Sequence, residues 1–273
     1  MKISGFIFLF FVLAATAFAG GTSSTPEADG AVRSSGRLYV QDATRPDITE
    51  AAEGDEDRPD YDEDYLDYPE EEEGIADPLE PVNRVFFYFN DRLYFRVLKP
   101  VARGYAAVVP EGARISVRNF FNNITSPVRF VNCVLQLKPA SAANELVRFG
   151  INSTAGILGL FDVARDEFGI KMQEEDLGQT LGAWGAGPGF YINWPVLGPS
   201  SLRDSIGYIG DLFLDPVSYV TPPLDRYSIA AGDRVNRVSL RLGEYEEIKK
   251  DAIDPYAAFR DIYHQYRKSR INR

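Results

Sequence analysis

From residue 82 onward the apolar positions fall at helical rather than alternating intervals. Val82, Val85, Phe86, Phe89, Leu93 and Val97 keep a 3.6-residue period up to Lys99-Pro100. The entry Asp77-Pro78 and Glu80-Pro81 supplies acid and proline for a first turn. The same spacing predicts a helix over 111–123 and another over 126–137, opened by Thr125 or Ser126 and stopped by Lys138-Pro139. A fourth begins near Ser141 and runs to Ile151. In the C-terminal stretch 228–270, helices are predicted over 235–250 and, behind an Asp254 cap, over 255–270. Alternating strand patterns are few, and no repeat of about 20–50 residues is present. The expected body is mainly α, a single multi-helix domain over 77–273.

Three segments depart from an ordinary amphipathic pattern. Phe86-Phe87-Tyr88-Phe89 and Tyr94-Phe95 put aromatic rings around the circumference of the first helix, whereas a surface helix keeps a polar back. Burial on all sides and a lipid interface both account for that; Arg84, Asp91, Arg92 and Arg96 exclude a bilayer span. Residues 150–164 are small and apolar, with Gly156 and Gly159, which permits close backbone approach. The stretch 178–200 holds six glycines and both tryptophans. It lacks the Lys-Ser/Thr ending of a phosphate loop, and Pro188 interrupts the glycines where a dinucleotide turn would open a helix. Trp184, Phe190, Tyr191 and Trp194 around an uncharged glycine loop resemble an interfacial aromatic belt.

The chain's start changes the picture. Met1-Lys2, an apolar run from Ile7 to Ala15, and Ala17-Phe18-Ala19 before Gly20 make a cleavable signal peptide the expectation for residues 1–19. The net charge of −11 divides unevenly. Residues 20–76 carry 18 acids against 4 Lys or Arg, and residues 77–273 carry 22 acids against 24 bases. The first segment therefore reads as a disordered acidic tether. The body is nearly neutral, without the clustered base of a nucleic-acid footprint. Cys133 is the only cysteine and His264 the only histidine. No internal disulfide, zinc site or Ser-His-Asp triad is expected, no Gly-x-Ser-x-Gly elbow occurs, and neither cofactor nor metal is called for.

Ordered motifs then carry a resemblance. Asp77-Pro78-Leu79-Glu80-Pro81-Val82-Asn83-Arg84, Phe87-Tyr88-Phe89-Asn90, Lys99-Pro100-Val101-Ala102 and Arg118-Asn119-Phe120-Phe121-Asn122-Asn123 come first. Arg148-Phe149 with Asn152-Ser153, Gly156 to Ala164, Glu175 to Gly182, Gly187-Pro188-Gly189, Gly198-Pro199-Ser200, Arg203-Asp204 and Asp215-Pro216 follow. Over 77–220, with an echo at Asp254-Pro255-Tyr256, the chain resembles the MlaA family, also called VacJ. The resemblance implies a ring-like helical protein embedded in the inner leaflet of the bacterial outer membrane. It implies removal of mislocalised phospholipid from the outer leaflet and delivery to a periplasmic carrier that feeds an inner-membrane ABC transporter, beside a porin. Glycerophospholipid is then the cargo, and no enzyme activity is expected.

Expected for the lipid passage are Gly178, Gln179, Thr180, Gly182, Trp184, Gly187, Gly189 and Tyr191 of a loop, with Asn83 and Asn90 of an Asn83–Asn90 turn. Phe86, Phe87, Phe89 and Trp194 are expected at the membrane interface. Asp77, Arg84, Asp162, Arg203 and Asp204 are expected in ion pairs that hold the ring. Family members carry a lipidated cysteine where this chain has Ala19-Gly20, so attachment without lipidation is expected. The alternative reading is an assembly partner of a porin that moves no lipid.

Overall fold

In the computed structural model, residues 74–272 are described. The predicted signal peptide and nearly all of the acidic tether lie outside the described residues. Helix α1 (Glu80–Leu93) runs through a π-helical turn (Tyr94–Leu98) into α2 (Lys99–Val108), and α3 (Glu111–Ile124), α4 (Ser126–Leu135) and α5 (Pro139–Thr154) follow with short joints. Two short helices come next, α6 (Val163–Asp166) and α7 (Leu177–Ala183). An antiparallel hairpin, β1 (Tyr191–Trp194) with β2 (Gly198–Ser201), pairs Tyr191 with Ser201 and Trp194 with Gly198. Helix α8 (Leu202–Asp211), a 3-10 turn (Pro216–Tyr219), α9 (Pro223–Ser239), α10 (Glu244–Asp251) and α11 (Pro255–Ile271) complete the described body, which is mainly α as the periodicity predicts.

Several predicted boundaries move. The first helix does not stop at Lys99-Pro100. The Lys99 N–H reaches back five residues to Tyr94 O, and this wider turn makes room for the Pro100 ring, so the helix continues to Val108. The predicted 235–250 helix is two: α9 starts earlier, at Pro223, and ends at Ser239, and Gly243 at φ +108° re-enters the chain into α10. Only a glycine takes that angle without strain. The supposed Asn83–Asn90 turn is two turns of α1, and the first part of the supposed 178–191 loop is α7. The body also begins before residue 77: Ile75 is buried, and Ala76 O accepts from Tyr191 N at 2.8 Å. The four-residue strands of the hairpin are too short for alternation to register.

What sits inside is unusual. Among the described residues sixteen polar or charged side chains are buried, against ten hydrophobic ones. On α5 the buried positions are Ala142, Glu145, Arg148 and Asn152, whereas Leu146, Val147 and Phe149 are exposed. On α4 Ser126, Arg129, Asn132 and Cys133 face inward while Val134 and Leu135 face outward. These helices carry the reverse of the water-soluble pattern, in which the apolar stripe is the buried one. Among the described residues a hydrophobic cluster forms where Ile75, Phe87, Tyr191 and Tyr256 pack with Phe259 and Tyr263. Burial pushes the Cys133 thiol up to about 11, so it remains an unreactive thiol at neutral pH. No helix among the described residues is long and apolar enough to cross a membrane.

Candidate functional site

The hairpin is stapled to α1 by the two asparagines that sequence reasoning placed in a passage. Asn83 and Asn90 lie seven residues apart, two turns of helix, and so on one face. Asn83 Nδ2 donates to Tyr191 O at 3.0 Å and to Asp77 Oδ1 at 2.8 Å, and Asn83 Oδ1 accepts from Asn193 N at 2.9 Å. Asn90 Nδ2 donates to Trp194 O at 2.9 Å, and its Oδ1 accepts from Val196 N at 2.7 Å. A two-stranded sheet leaves edge groups that need partners, and these side-chain amides supply them. Tyr191 is buried in the aromatic cluster, and so is Phe87, which corrects its assignment to the interface. Phe86 is half-buried, whereas Phe89 and Trp194 are exposed. C-terminal helix α11 closes onto the same corner: Tyr256 OH donates to Asp77, Arg260 lies 3.6 Å from Asp77, and Arg84 pairs with Asp254 at 2.7 Å.

On the other side of the hairpin, α7 and α8 cross at two glycines, where a Cβ on Gly207 would stand 2.7 Å from Gly178 Cα. Asp176 caps α7, accepting from Gln179 N at 2.8 Å. Gln179 and Thr180 are buried and committed. Gln179 Nε2 donates to Glu174 O at 2.7 Å, and Thr180 Oγ1 donates to Asn132 Oδ1 at 2.8 Å. With Gly178 in the helix crossing, these three do not face an open space. Arg267 of α11 binds Asp176 at 2.6 and 2.8 Å and Asp204 at 2.7 Å, and Arg203 reaches Asp204 at 2.9 Å. Burial pushes both carboxyls up, but the hydrogen bonds from Arg267 prevail and hold each below its ordinary range.

The remaining glycines line an open cleft. Gly182, Gly185, Gly187 and Pro188 line it together with Arg203, Tyr263 and His264, Arg203 Nη1 donating to Ala186 O at 3.3 Å, and the cleft encloses about 210 Å³. Space around Gly187 is free to 4 Å, and Gly189 adopts φ +69° against Leu202. Trp184, 60% exposed, flanks this loop with its Nε1 donating to Leu135 O at 3.1 Å.

A second polar centre joins α4, α5 and α6. Glu145, fully buried, accepts from Arg129 Nε at 2.7 Å and from Gln173 N at 2.6 Å. Arg148 binds both oxygens of Asp162 at 2.9 Å, and Asn152 Nδ2 donates to the same carboxylate at 2.9 Å. Burial works against the Asp162 charge, and the Arg148 and Asn152 hydrogen bonds outweigh it, so the carboxyl titrates below its usual range.

The sequence model of the family described as MlaA lipoprotein matches residues 75–270. The chain belongs to the MlaA family. An MlaA relative of Escherichia coli K12, named intermembrane phospholipid transport system lipoprotein MlaA, is 32% identical over 199 residues, covering 71% of this chain and 78% of the relative. A protein of Rickettsia bellii is 34% identical over 198 residues, covering 72% and 77%. A solved structure titled as the structural basis for maintenance of bacterial outer membrane lipid asymmetry superposes with a TM-score of 0.65 at 30% identity, over 72% of this chain and all of that one.

Read on this MlaA-family body, all five predicted ion-pair residues are in ion pairs: Asp77, Arg84, Asp162, Arg203 and Asp204. Their partners Arg148, Asp254, Arg260 and Arg267 were not singled out as site residues, nor was the Arg129–Glu145 pair. One signal was available. Glu145, Arg148 and Asn152 share a helical face that a soluble fold would fill with the neighbouring Leu146, Val147 and Phe149. Among the described residues no group of three His, Cys, Asp or Glu is placed to hold a metal.

Proposed function

We propose that this chain removes mislocalised phospholipid from the outer leaflet of the outer membrane and passes it to a periplasmic lipid carrier feeding an inner-membrane ABC transporter. The body sits in the inner leaflet beside a porin, and the lipid moves chemically unchanged. One observation carries the reading: charged and amide side chains are inside, while Val85, Phe89, Ile206, Ile209 and Phe213 are outside. In water, exposed apolar surface forgoes about 25 cal/mol for each Å²; against acyl chains that loss disappears. The names borne by the Escherichia coli relative and the superposed structure support the same role.

In this reading the passage wall is the glycine loop, with Gly182, Gly187, Gly189 and Trp184 offering a smooth, uncharged surface beside Arg203. Gly178, Gln179, Thr180, Asn83, Asn90 and Tyr191 hold that wall in place. The test is surface labelling of phosphatidylethanolamine in cells with and without the gene. Deletion should raise outer-leaflet phospholipid, and the intact gene should reverse the rise. Gly187→Val should fail to reverse it although the protein is present, because its side chain enters the cleft without meeting the fold. No rise on deletion would sink the transport reading in favour of a porin-assembly role.

A further inference from the structure

The open cleft at the glycine loop is lined by ionisable groups of one kind. Arg203 of α8 and His264, Arg267 and Lys268 of α11 line it with the Tyr263 phenol, and among the described residues no aspartate or glutamate does. Positions 264, 267, 268 and 271 fall at i, i+3, i+4 and i+7, so they share the α11 face that meets the cleft. The nearest carboxylates are engaged outside that lining. Asp204 accepts from Arg203 Nε at 2.9 Å and pairs with Arg267 Nε at 2.7 Å, while both Arg267 amino groups hold Asp176. Arg267 is therefore spent on the two aspartates.

Arg203 keeps donors in reserve. It is 8% exposed; its Nε binds Asp204 and its Nη1 donates to Ala186 O at 3.3 Å, but its Nη2 has no hydrogen-bond partner among the described residues. A guanidinium carries five N–H donors, and a buried donor left unmatched is costly. Half-buried His264 also has no hydrogen-bond partner among the described residues, and an imidazole keeps at least one N–H donor in every tautomer. Apolar surface adjoins these donors: Ile75, Pro188 and Ile271 line the same cleft, and Ile271 Cδ1 lies where a Cβ on Gly182 would come within 2.7 Å. The volume of about 210 Å³ is below the roughly 300–1,000 Å³ that encloses a whole drug-sized ligand. It suits a headgroup whose acyl chains remain outside. Phosphate oxygens match the waiting donors. An ammonium on the same headgroup would be brought among cations with no carboxylate in the lining, and an unpaired charge of that kind discriminates against its carrier.

We infer that this cleft, through Arg203, His264 and Lys268, selects glycerophospholipids whose phosphate head carries a net negative charge over those that also carry an amine, an inference that rests on the transport reading above. The experiment is calorimetric titration of the full chain in non-ionic detergent with dihexanoyl-phosphatidylglycerol, dihexanoyl-phosphatidylethanolamine and inorganic phosphate. The wild type should bind the phosphatidylglycerol about tenfold more tightly than the phosphatidylethanolamine. Lys268→Glu puts a carboxylate on the lining and should abolish that preference, chiefly by weakening the phosphatidylglycerol. His264→Leu should weaken both lipids alike, because both present the phosphate that the imidazole would meet. Thermal midpoints are read alongside; a fall in midpoint that accompanies every loss of affinity would mark a structural role and overturn the inference. Equal affinity of the wild type for the two lipids also overturns it. A preference that persists in Lys268→Glu, together with unchanged affinities in His264→Leu, places selection elsewhere and overturns the assignment to the cleft. Inorganic phosphate binding as tightly as phosphatidylglycerol assigns the cleft to the free anion and overturns the lipid assignment. Surface phosphatidylethanolamine in deletion cells is read separately, so failure of the transport reading is distinguishable from failure of the site.

Discussion

Replacing Glu145 by glutamine tests whether the polar interior holds the body together. Glu145 is fully buried and accepts from two donors, Arg129 Nε at 2.7 Å on one oxygen and Gln173 N at 2.6 Å on the other. Glutamine keeps the shape but offers one acceptor and an NH2 group, so in either orientation one donor faces another donor. Arg129 and Arg148, both buried, would then share the region with a single carboxylate, Asp162. Removing one partner of a buried ion pair costs about 3–5 kcal/mol. The lower figure applies, since Arg129 keeps Thr125 Oγ1 at 3.1 Å, Ser126 Oγ at 2.8 Å and Asn122 O at 2.8 Å. For a body of this size about 3 kcal/mol lowers the melting midpoint by roughly 6–12 °C. The assay is thermal unfolding in detergent followed by far-ultraviolet circular dichroism. Arg165→Gln is the control: its pair with Asp166 is about half exposed on both sides and contributes at most about 1 kcal/mol. A Glu145→Gln midpoint within about 2 °C of wild type would refute the reasoning.

Three further outcomes follow from the packing and the charges. Gly207→Ala should destabilise by about 1–3 kcal/mol or more, because its Cβ meets the Gly178 backbone, whereas Gly232→Ala in the open interior of α9 should stabilise by up to about 1 kcal/mol; denaturant midpoints measure both. Burial pushes the Asp211 carboxyl up to about 6, against the pull of the Leu177 N–H and the Asn132 amide. The native state therefore holds that proton more tightly than the unfolded chain, and the resulting stability is full below about pH 4 and lost as pH rises through about 6. Asp211→Asn should remove that slope, and parallel profiles of midpoint against pH would refute it. Phe89→Glu should weaken flotation with phospholipid vesicles and leave the midpoint in detergent unchanged, whereas Phe87→Ala should cost about 3–5 kcal/mol of stability.

The helices were legible because their apolar spacing is regular whichever way the stripe faces. A 3.6-residue period locates α1, α3, α4, α5 and α11 equally well in an ordinary fold and in an inverted one. The direction of the stripe is what periodicity omits, and for that reason Phe87 and Phe89, two residues apart, were assigned alike although one packs on Tyr256 and the other faces outward. Boundaries failed where local chemistry is ambiguous. Pro100 stops a helix unless the preceding turn widens, and nothing in Tyr94–Leu98 announces that it will. The passage assignment was coarse for a different reason. Gly178 and Gly187 look alike in a glycine-rich run, yet one lies in a helix crossing and the other in open space. The ion-pair residues were recoverable through the family motifs, but partners at and within α11 lie far away in the chain, Asp254 being 170 positions from Arg84 and Arg260 farther still from Asp77, and share no local pattern with them.

An inverted body has to solve two problems with the same residues, and the charge pairing shows how they conflict. In the proposed setting, with acyl chains outside, the interior cannot rely on the hydrophobic effect, and direct pairs such as Arg129–Glu145, Arg148–Asp162 and Arg267–Asp176 hold the helices. Each carboxylate committed in this way is lost as a ligand for a passing headgroup amine, and each arginine as a ligand for its phosphate. That suits a passage, since a wall that binds tightly does not release.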